Sequence, residues 1–295
     1  MKRLYLIGLF VFLFPVILLA TDAKDDYAMS DFMRVSKPEG KRLPVSYDIA
    51  IVKFADEKNE VQIDLIGAVH IGDKEYYAEL NEIFKKYDAV LYELIADEDT
   101  KPTGRNESSN LLSSIQSGMG SMLALDFQLA HIDYRAKNMV HADMSPAEFA
   151  SRMSERGDFT QMFFRAMTLS SKKNSEDAAK EEDRMLGRML GSFLVSSNPA
   201  LSFKRLLAEE MMSQIDDATW IIGGDGSAII TDRNATALKV LSRELQNGKK
   251  KIAIFYGAAH LPEFVKSLEK DFNMTRTGMD WIVAWDLTKD KSARK

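Results

Sequence analysis

The sequence predicts an α/β protein with a mixed, largely parallel central sheet flanked by helices, and with a helical insertion or cap in the middle of the chain. Three observations carry that expectation. Short β-branched and apolar runs alternate with segments whose apolar residues recur at helical spacing. Around residues 61–95 the order is strand, helix, strand, which requires a crossover and therefore parallel strands. Between about 150 and 217 the strand signal is lost and the pattern is helical throughout.

Residues 1–23 read as a secretory signal peptide: Lys2 and Arg3 precede an unbroken apolar run from Leu4 to Ala20, and Thr21 to Ala23 offers a small-residue exit. The run is near the lower length limit for a bilayer span, so an uncleaved N-terminal anchor is the alternative, and no later stretch is apolar enough to cross a membrane. The chain has no cysteine, which excludes a lipoprotein anchor and fits a Gram-negative periplasm better than a disulfide-forming eukaryotic route. Cleavage would take two of the 39 basic and one of the 44 acidic side chains, leaving a net acidic protein that offers nucleic acid nothing to bind. Residues 24–46 are polar, punctuated by Pro38 and Pro44, and read as an N-terminal arm; residues 47–295 read as one domain with its insertion at about 150–217.

Tyr47–Lys53 and Val61–Ile66 predict a hairpin turning at Asp56-Glu57-Lys58-Asn59. Asp73–Lys86 predicts a helix from the spacing of Tyr77, Leu80, Ile83 and Phe84, and Ala89–Ile95 a buried strand. Leu123–Lys137 reads as a helix and Asn138–His141 as a short strand, followed by a capping box with proline at the first helical position, Ser145-Pro146-Ala147-Glu148. The insertion is rich in methionine, including Met162, Met167, Met185, Met189, Met211 and Met212, while Gly223, Gly224 and Gly226 read as a loop. Ile229–Asn234 is an apolar approach to a helix running through Leu238 and Leu241. The strand Lys251–Tyr256, a turn at Gly257–His260, a helix over Pro262–Lys270 and a last strand Trp281–Leu287 complete the chain.

One internal correspondence points to chemistry. Ile63–Ile71 and Ala253–Leu261 both read strand, Gly-Ala-x-His, helix, and they place two of the four histidines, His70 and His260, at equivalent strand ends. Ligands of open parallel sheets collect beyond those carboxyl ends. Glu93 sits near the end of the buried run Ala89–Ile95, where a lone carboxylate is costly and calls for a cation, a metal or the rim. Two imidazoles and one carboxylate form a familiar divalent-metal set with positions left for water. Asp143 follows the short middle strand and is either a site acid or a turn residue before the cap. Arg233 is either an anchor for a substrate carboxylate or oxyanion, or a solvated helix residue beside capping Asp232 or Asn234. His131 reads as a helix-face residue, and His141 as a neighbour of Asp143.

These pieces resemble the TraB/GumN family, whose relatives include the Tiki metalloproteases and whose wider kin include erythromycin esterases and ChaN-like haem-binding proteins. The resemblance spans about Tyr47 to Leu287. It rests on Leu65-Ile66-Gly67-Ala68-Val69-His70, Asp88-Ala89-Val90-Leu91-Tyr92-Glu93-Leu94, Asp232-Arg233-Asn234 and Phe255-Tyr256-Gly257-Ala258-Ala259-His260-Leu261. It implies a site of His70, His260 and Glu93 with Arg233 belonging to it, and an acid after the middle strand, the place Asp143 takes. The family pattern usually reads Arg-Asp where this chain has Arg233-Asn234.

The resulting expectation is a periplasmic metal-dependent hydrolase cleaving peptide or amide bonds. His70, Glu93 and His260 hold a zinc, manganese or cobalt ion, Glu93 and Arg233 carry the chemistry, and Arg233 with Asp143 contact a peptide or small-molecule substrate. The alternatives are a haem or apolar-ligand binder walled by the methionine-rich cap, and an interaction protein without activity.

Overall fold

The structure, a computed structural model, describes residues 27–97, 100–102, 125–158, 160–162, 164–165, 187–188, 196, 198–213, 215 and 226–288. The expected signal peptide, much of the expected insertion with Met167, Met185 and Met189, and Gly223 and Gly224 lie outside these residues.

Among the described residues, seven strands form the main sheet: β1 Met33–Ser36, β2 Ser46–Ala55, β3 Gln62–Ala68, β5 Ala89–Tyr92, β7 Met139–His141, β8 Lys251–Gly257 and β9 Thr275–Asp286. Two more, β4 Ile71–Gly72 and β6 Asp126–Phe127, pair only with each other. The helices are α1 Lys74–Phe84, α2 Gln128–His131, α3 Pro146–Arg156, α4 Pro199–Ser213, α5 Arg233–Gln246 and α6 Leu261–Asp271. The sheet is mixed, as expected. Strands β3, β8, β5 and β7 run side by side and parallel, whereas β2 pairs antiparallel with β9, β1 and β3. Strand β9 follows β2 from end to end, so β1, opposite Ser46–Ile49, and β3, opposite Ile51–Ala55, share its other edge.

The parallel strands are apolar on both sides because both faces are covered. On β8, Ile252, Ile254 and Tyr256 pack with Leu241 of α5 and with Leu261, Phe264, Val265 and Leu268 of α6, a stripe at i, i+3, i+4 and i+7. The alternate residues Ala253 and Phe255 face Tyr76, Tyr77 and Leu80 of α1 and Phe203 and Leu206 of α4. A buried ion pair ties α4 to the sheet: Lys204 Nζ donates to Asp73 Oδ1 at 2.8 Å and to the Asp286 carbonyl at 3.2 Å, while Asp73 Oδ2 accepts from the Asp286 N–H at 2.5 Å. Met211 and Met212 pack against this core. Among the described residues no helix is long and apolar enough to cross a membrane.

The expected hairpin forms, with the Asp56 carboxylate accepting from the N–H groups of Glu60 and Val61 and Asn59 at φ 54°. Ser145 caps α3 by accepting from the Glu148 N–H at 3.2 Å, and the helix ends on Gly157 at φ 66°. Three readings change. Part of the expected arm belongs to the sheet: Phe32 and Met33 are buried and β1 pairs with β2, a strand too short for its alternation to be read. The expected helix at 123–137 keeps one turn, α2, because β6 leaves to pair with β4 and the Gln128 N–H is claimed by the His70 carbonyl. The last strand is longer than expected and begins at Thr275: its first half pairs with β2 but is exposed or half-buried, so it lacks an apolar signature.

Gly67, at the end of β3, has no positive φ, so it is not kept for a left-handed turn. Its requirement is space: a Cβ there would collide with Ile49 Cγ2, a fully buried β-branched neighbour across the sheet. Gly67→Ala is therefore expected to cost about 1–3 kcal/mol of unfolding free energy in urea titration. An unchanged midpoint would show that the close approach is easily relieved.

Candidate functional site

The four parallel strands end together, and each delivers one polar group there. Strands β3 and β8 are adjacent with Ala68 opposite Gly257, so the two Gly-Ala-x-His motifs, 190 residues apart in sequence, emerge as neighbours. Strand β5 ends at Tyr92, opposite Phe255 of β8 and His141 of β7, which puts Glu93 and Asp143 just past the same edge. Arg233 enters from outside the sheet as the first residue of α5.

Arg233 joins the two acids. Its Nε and Nη2 donate to Asp143 Oδ1 and Oδ2 at 2.9 and 2.6 Å, and Nη2 also donates to Glu93 Oε1 at 2.6 Å. The three side chains are 8% (Arg233), 0% (Asp143) and 11% (Glu93) exposed, so each charge depends on the others for the partners that water would otherwise supply. Asp143 spends both oxygens on Arg233 and acts on the site through it. Glu93 Oε2 accepts from the Gly257 N–H at 2.6 Å, and a Cβ on Gly257 would lie 3.2 Å from that same oxygen. The glycine at this strand end serves the carboxylate.

A π-helical turn, Ala228–Asp232, precedes Arg233. Ser227 caps it through the Ile230 N–H, Asp158 accepts from the Ala228 N–H, and Arg156 at the end of α3 grips Asp232 at 2.6 and 2.7 Å and the Gly226 carbonyl. The helix that carries the guanidinium is thus anchored before it starts.

His260 lies in a 3-10 turn, 4% exposed, with its ring T-shaped to Tyr256 and tilted against Phe264. Asn234, next to Arg233, fixes its proton. The Asn234 Nδ2 donates to the His260 carbonyl at 3.2 Å, so Oδ1 is the end that meets Nδ1 at 2.6 Å, and Nδ1 carries the hydrogen. Nε2 is left as an acceptor, 3.7 Å from Glu93 Oε1. His70 is exposed, and its Nδ1 faces Gln128 Oε1 at 3.2 Å.

Charge in this setting is strongly coupled. Burial alone would raise the Glu93 carboxyl, but Arg233 above all, then His260, His70 and the Gly257 N–H, hold it down at about 2. Burial pushes His260 down to about 4 against the pull of Glu93 and Asp143, so its contact with Glu93 at neutral pH is between two acceptors and is no ion pair. Burial would lower Arg233, and the two carboxylates outweigh it and raise it above its usual value.

No family model, curated protein or solved structure matches the chain.

Of the expected site residues, Glu93, Arg233, Asp143 and His260 converge directly, and His70 stands at the adjacent strand end, near enough to act on the Glu93 charge. Among the described residues no three His, Asp or Glu side chains already surround a common point suited to an ion. His131 bonds Asp126 at 2.8 Å and stacks on Tyr77, and His141 Nε2 meets the Leu94 carbonyl at 2.6 Å. Asn234, Gln128 and the Gly257 N–H were not foreseen. Asn234 had a signal in its place beside Arg233, but a capping role explained it equally well.

Two outcomes follow. Asp143→Ala leaves a buried guanidinium half-paired and is expected to lose about 3–5 kcal/mol by denaturant titration; a loss below 1 would mean water already shares the pair. His260 and Glu93 both have folded pKa values below their unfolded ones, 6.5 and 4.5. Unfolded chains therefore bind more protons, so stability holds above pH 6.5, declines toward pH 4 as unfolded His260 charges, and declines again from 4.5 toward 2 through Glu93. The histidine step is on the order of 3 kcal/mol. A flat urea midpoint from pH 7 to 4.5 would contradict a neutral, buried His260.

Proposed function

We propose that the chain is an exported, periplasmic hydrolase of the TraB/GumN kind that cleaves peptide or related amide bonds with the help of a divalent metal ion, zinc, manganese or cobalt. One observation carries this reading: the lone pair of His260 Nε2 faces an ionised Glu93 oxygen across 3.7 Å, with no proton to share between them. Glu93 Oε1 already accepts from Arg233, and a cation or polarised donor in the remaining gap would meet both that oxygen and the Nε2 lone pair.

The donor types suit a divalent metal, and ligation would need the side chains to close around it, since among the described residues no three acids or histidines already surround a common point. His260 and Glu93 would hold it, each already tied at its other polar atom, to Asn234 and to the Gly257 N–H, in the manner of outer partners that orient metal ligands. His70 would be the third ligand through Nε2. A bound divalent ion supplies Lewis acidity toward the scissile carbonyl and its attacking water.

The chain's own residues supply the rest. Glu93, kept ionised by Arg233, would hold negative charge beside the attacking water and orient it. Arg233 uses Nε and Nη2 on the two acids, and its remaining nitrogen brings positive charge toward a developing oxyanion. Asp143 keeps that guanidinium in place, and the Tyr256 and Phe264 rings keep bulk water from the buried side of His260. No observation favours the haem or apolar-ligand reading over this one.

The test is metal content and peptide hydrolysis of purified protein reconstituted with each of the three ions, with His70→Ala and His260→Ala prepared alongside. The wild type is expected to hold near-stoichiometric metal and to hydrolyse a peptide library, and each variant to bind at least ~100-fold more weakly. Hydrolysis that survives exhaustive chelation would overturn the metal and leave His260 as a base. Metal binding without cleavage of any peptide or amide would overturn the hydrolase.

A further inference from the structure

The two Gly-Ala-x-His histidines differ in how they are held. His260 is enclosed by Tyr256, Phe264 and the Asn234 amide. His70 is exposed, and an exposed imidazole turns freely unless something bonds it. The bond it has is to Gln128, which is 4% exposed and is itself doubly fixed. The Gln128 backbone N–H donates to the His70 carbonyl at 3.0 Å, and its Nε2 donates to the Tyr134 hydroxyl at 2.8 Å. Tyr134 is 1% exposed and packed edge-on against Tyr92, so the hydroxyl cannot move away.

With Gln128 Nε2 placed on the Tyr134 hydroxyl, Oε1 is the end presented to His70, and in that arrangement His70 Nδ1 is the donor. The outcome matches His260: an amide oxygen on Nδ1, a second bond from the amide-bearing residue to the histidine's own carbonyl, and an Nε2 left as an acceptor. One amide is the second residue of α5 and the other the first of α2, on segments with no sequence likeness to each other.

We propose that Gln128, braced by Tyr134, is the positioning residue of His70: it selects the Nδ1–H tautomer and aims Nε2 at the site, as Asn234 does for His260. The inference deepens the hydrolase reading by assigning the geometry of its third ligand, but it concerns the ring itself and stands without metal or substrate. A neutral amide suits this site better than the carboxylate that often backs a histidine. Glu93 and Asp143 against Arg233 already leave one net negative charge, and a further buried acid would add to it.

The test is the imidazole nitrogen and ring-proton NMR of the full, metal-free chain labelled at histidine, at pH 8. Only four histidines contribute signals, and His260 serves as the internal control for folding. In the wild type both His70 and His260 are expected as Nδ1–H. In Gln128→Leu, His70 is expected to revert to the Nε2–H form that histidine favours in water while His260 keeps its signal; Gln128→Glu is expected to retain Nδ1–H, since a carboxylate accepts the same bond. Tyr134→Phe is expected to give a mixture at His70, because the amide then loses the partner that holds it beside the ring. A wild-type His70 already in the Nε2–H form, or a His70 unchanged in both Gln128→Leu and Tyr134→Phe with His260 intact, would overturn the proposal. If Gln128→Leu loses the His260 signal by unfolding, Tyr134→Phe, which removes one oxygen, decides alone. Absence of hydrolytic activity in all forms would count against the proposed reaction and leave this result standing.

Discussion

The buried guanidinium of Arg233 is the contact on which the rest of the site depends. Three charged groups, each nearly or wholly removed from water, meet at the ends of β5 and β7 and the start of α5. Any one of them alone would carry a desolvation cost of several kcal/mol. Together they satisfy one another with three short, charge-assisted bonds, two of them bidentate to Asp143. The result joins two sheet strands to a helix that is far away in sequence, and it keeps Glu93 ionised in surroundings that would otherwise protonate it. Everything else near Glu93, including the acceptor character of the gap to His260, follows from that ionisation.

The sheet explains why these groups meet at all. Strand β8, late in the chain, inserts between β3 and β5, which are joined early through α1. A ligand crevice at the carboxyl edge is what such an arrangement provides. The insertion brings the second Gly-Ala-x-His motif beside the first and puts Gly257 in reach of Glu93. Both glycines are used for close approach, one to Ile49 and one to a carboxylate, and neither for a left-handed backbone.

Much of this was legible in the sequence because it is written in local patterns. The hairpin, α1, the α3 cap, α6 and the buried parallel strands follow from periodicity and capping residues. His70, His260 and Glu93 stand out because a polar side chain ending an apolar strand is costly unless used. Asp143 and Arg233 were visible only as candidates, since a turn acid and a helix-face arginine look the same in one dimension, and it is their mutual pairing that distinguishes them. The amides were not legible. Gln128 lies in a stretch whose Leu125, Leu129 and Ile132 mimic a helix face, and the competing pull of β4 on β6 is a tertiary effect with no local trace. Strand β1 was missed for a similar reason: four residues cannot display an alternation.

The two histidines come from matching motifs but are not equivalent. His260 is buried and neutral at physiological pH, with its ring packed on two aromatics; His70 is exposed and held through a single side-chain bond. A site assembled from two fully buried imidazoles would be closed to substrate, and one assembled from two exposed imidazoles would lack orientation and admit water to the Glu93–Arg233 pair. One of each resolves the conflict: the enclosed histidine fixes the reference geometry beside the ion pair, and the open one leaves a face toward solvent. Sharing the Nδ1–H tautomer lets both present the same kind of atom to whatever lies between them, so the asymmetry concerns access and the symmetry concerns chemistry.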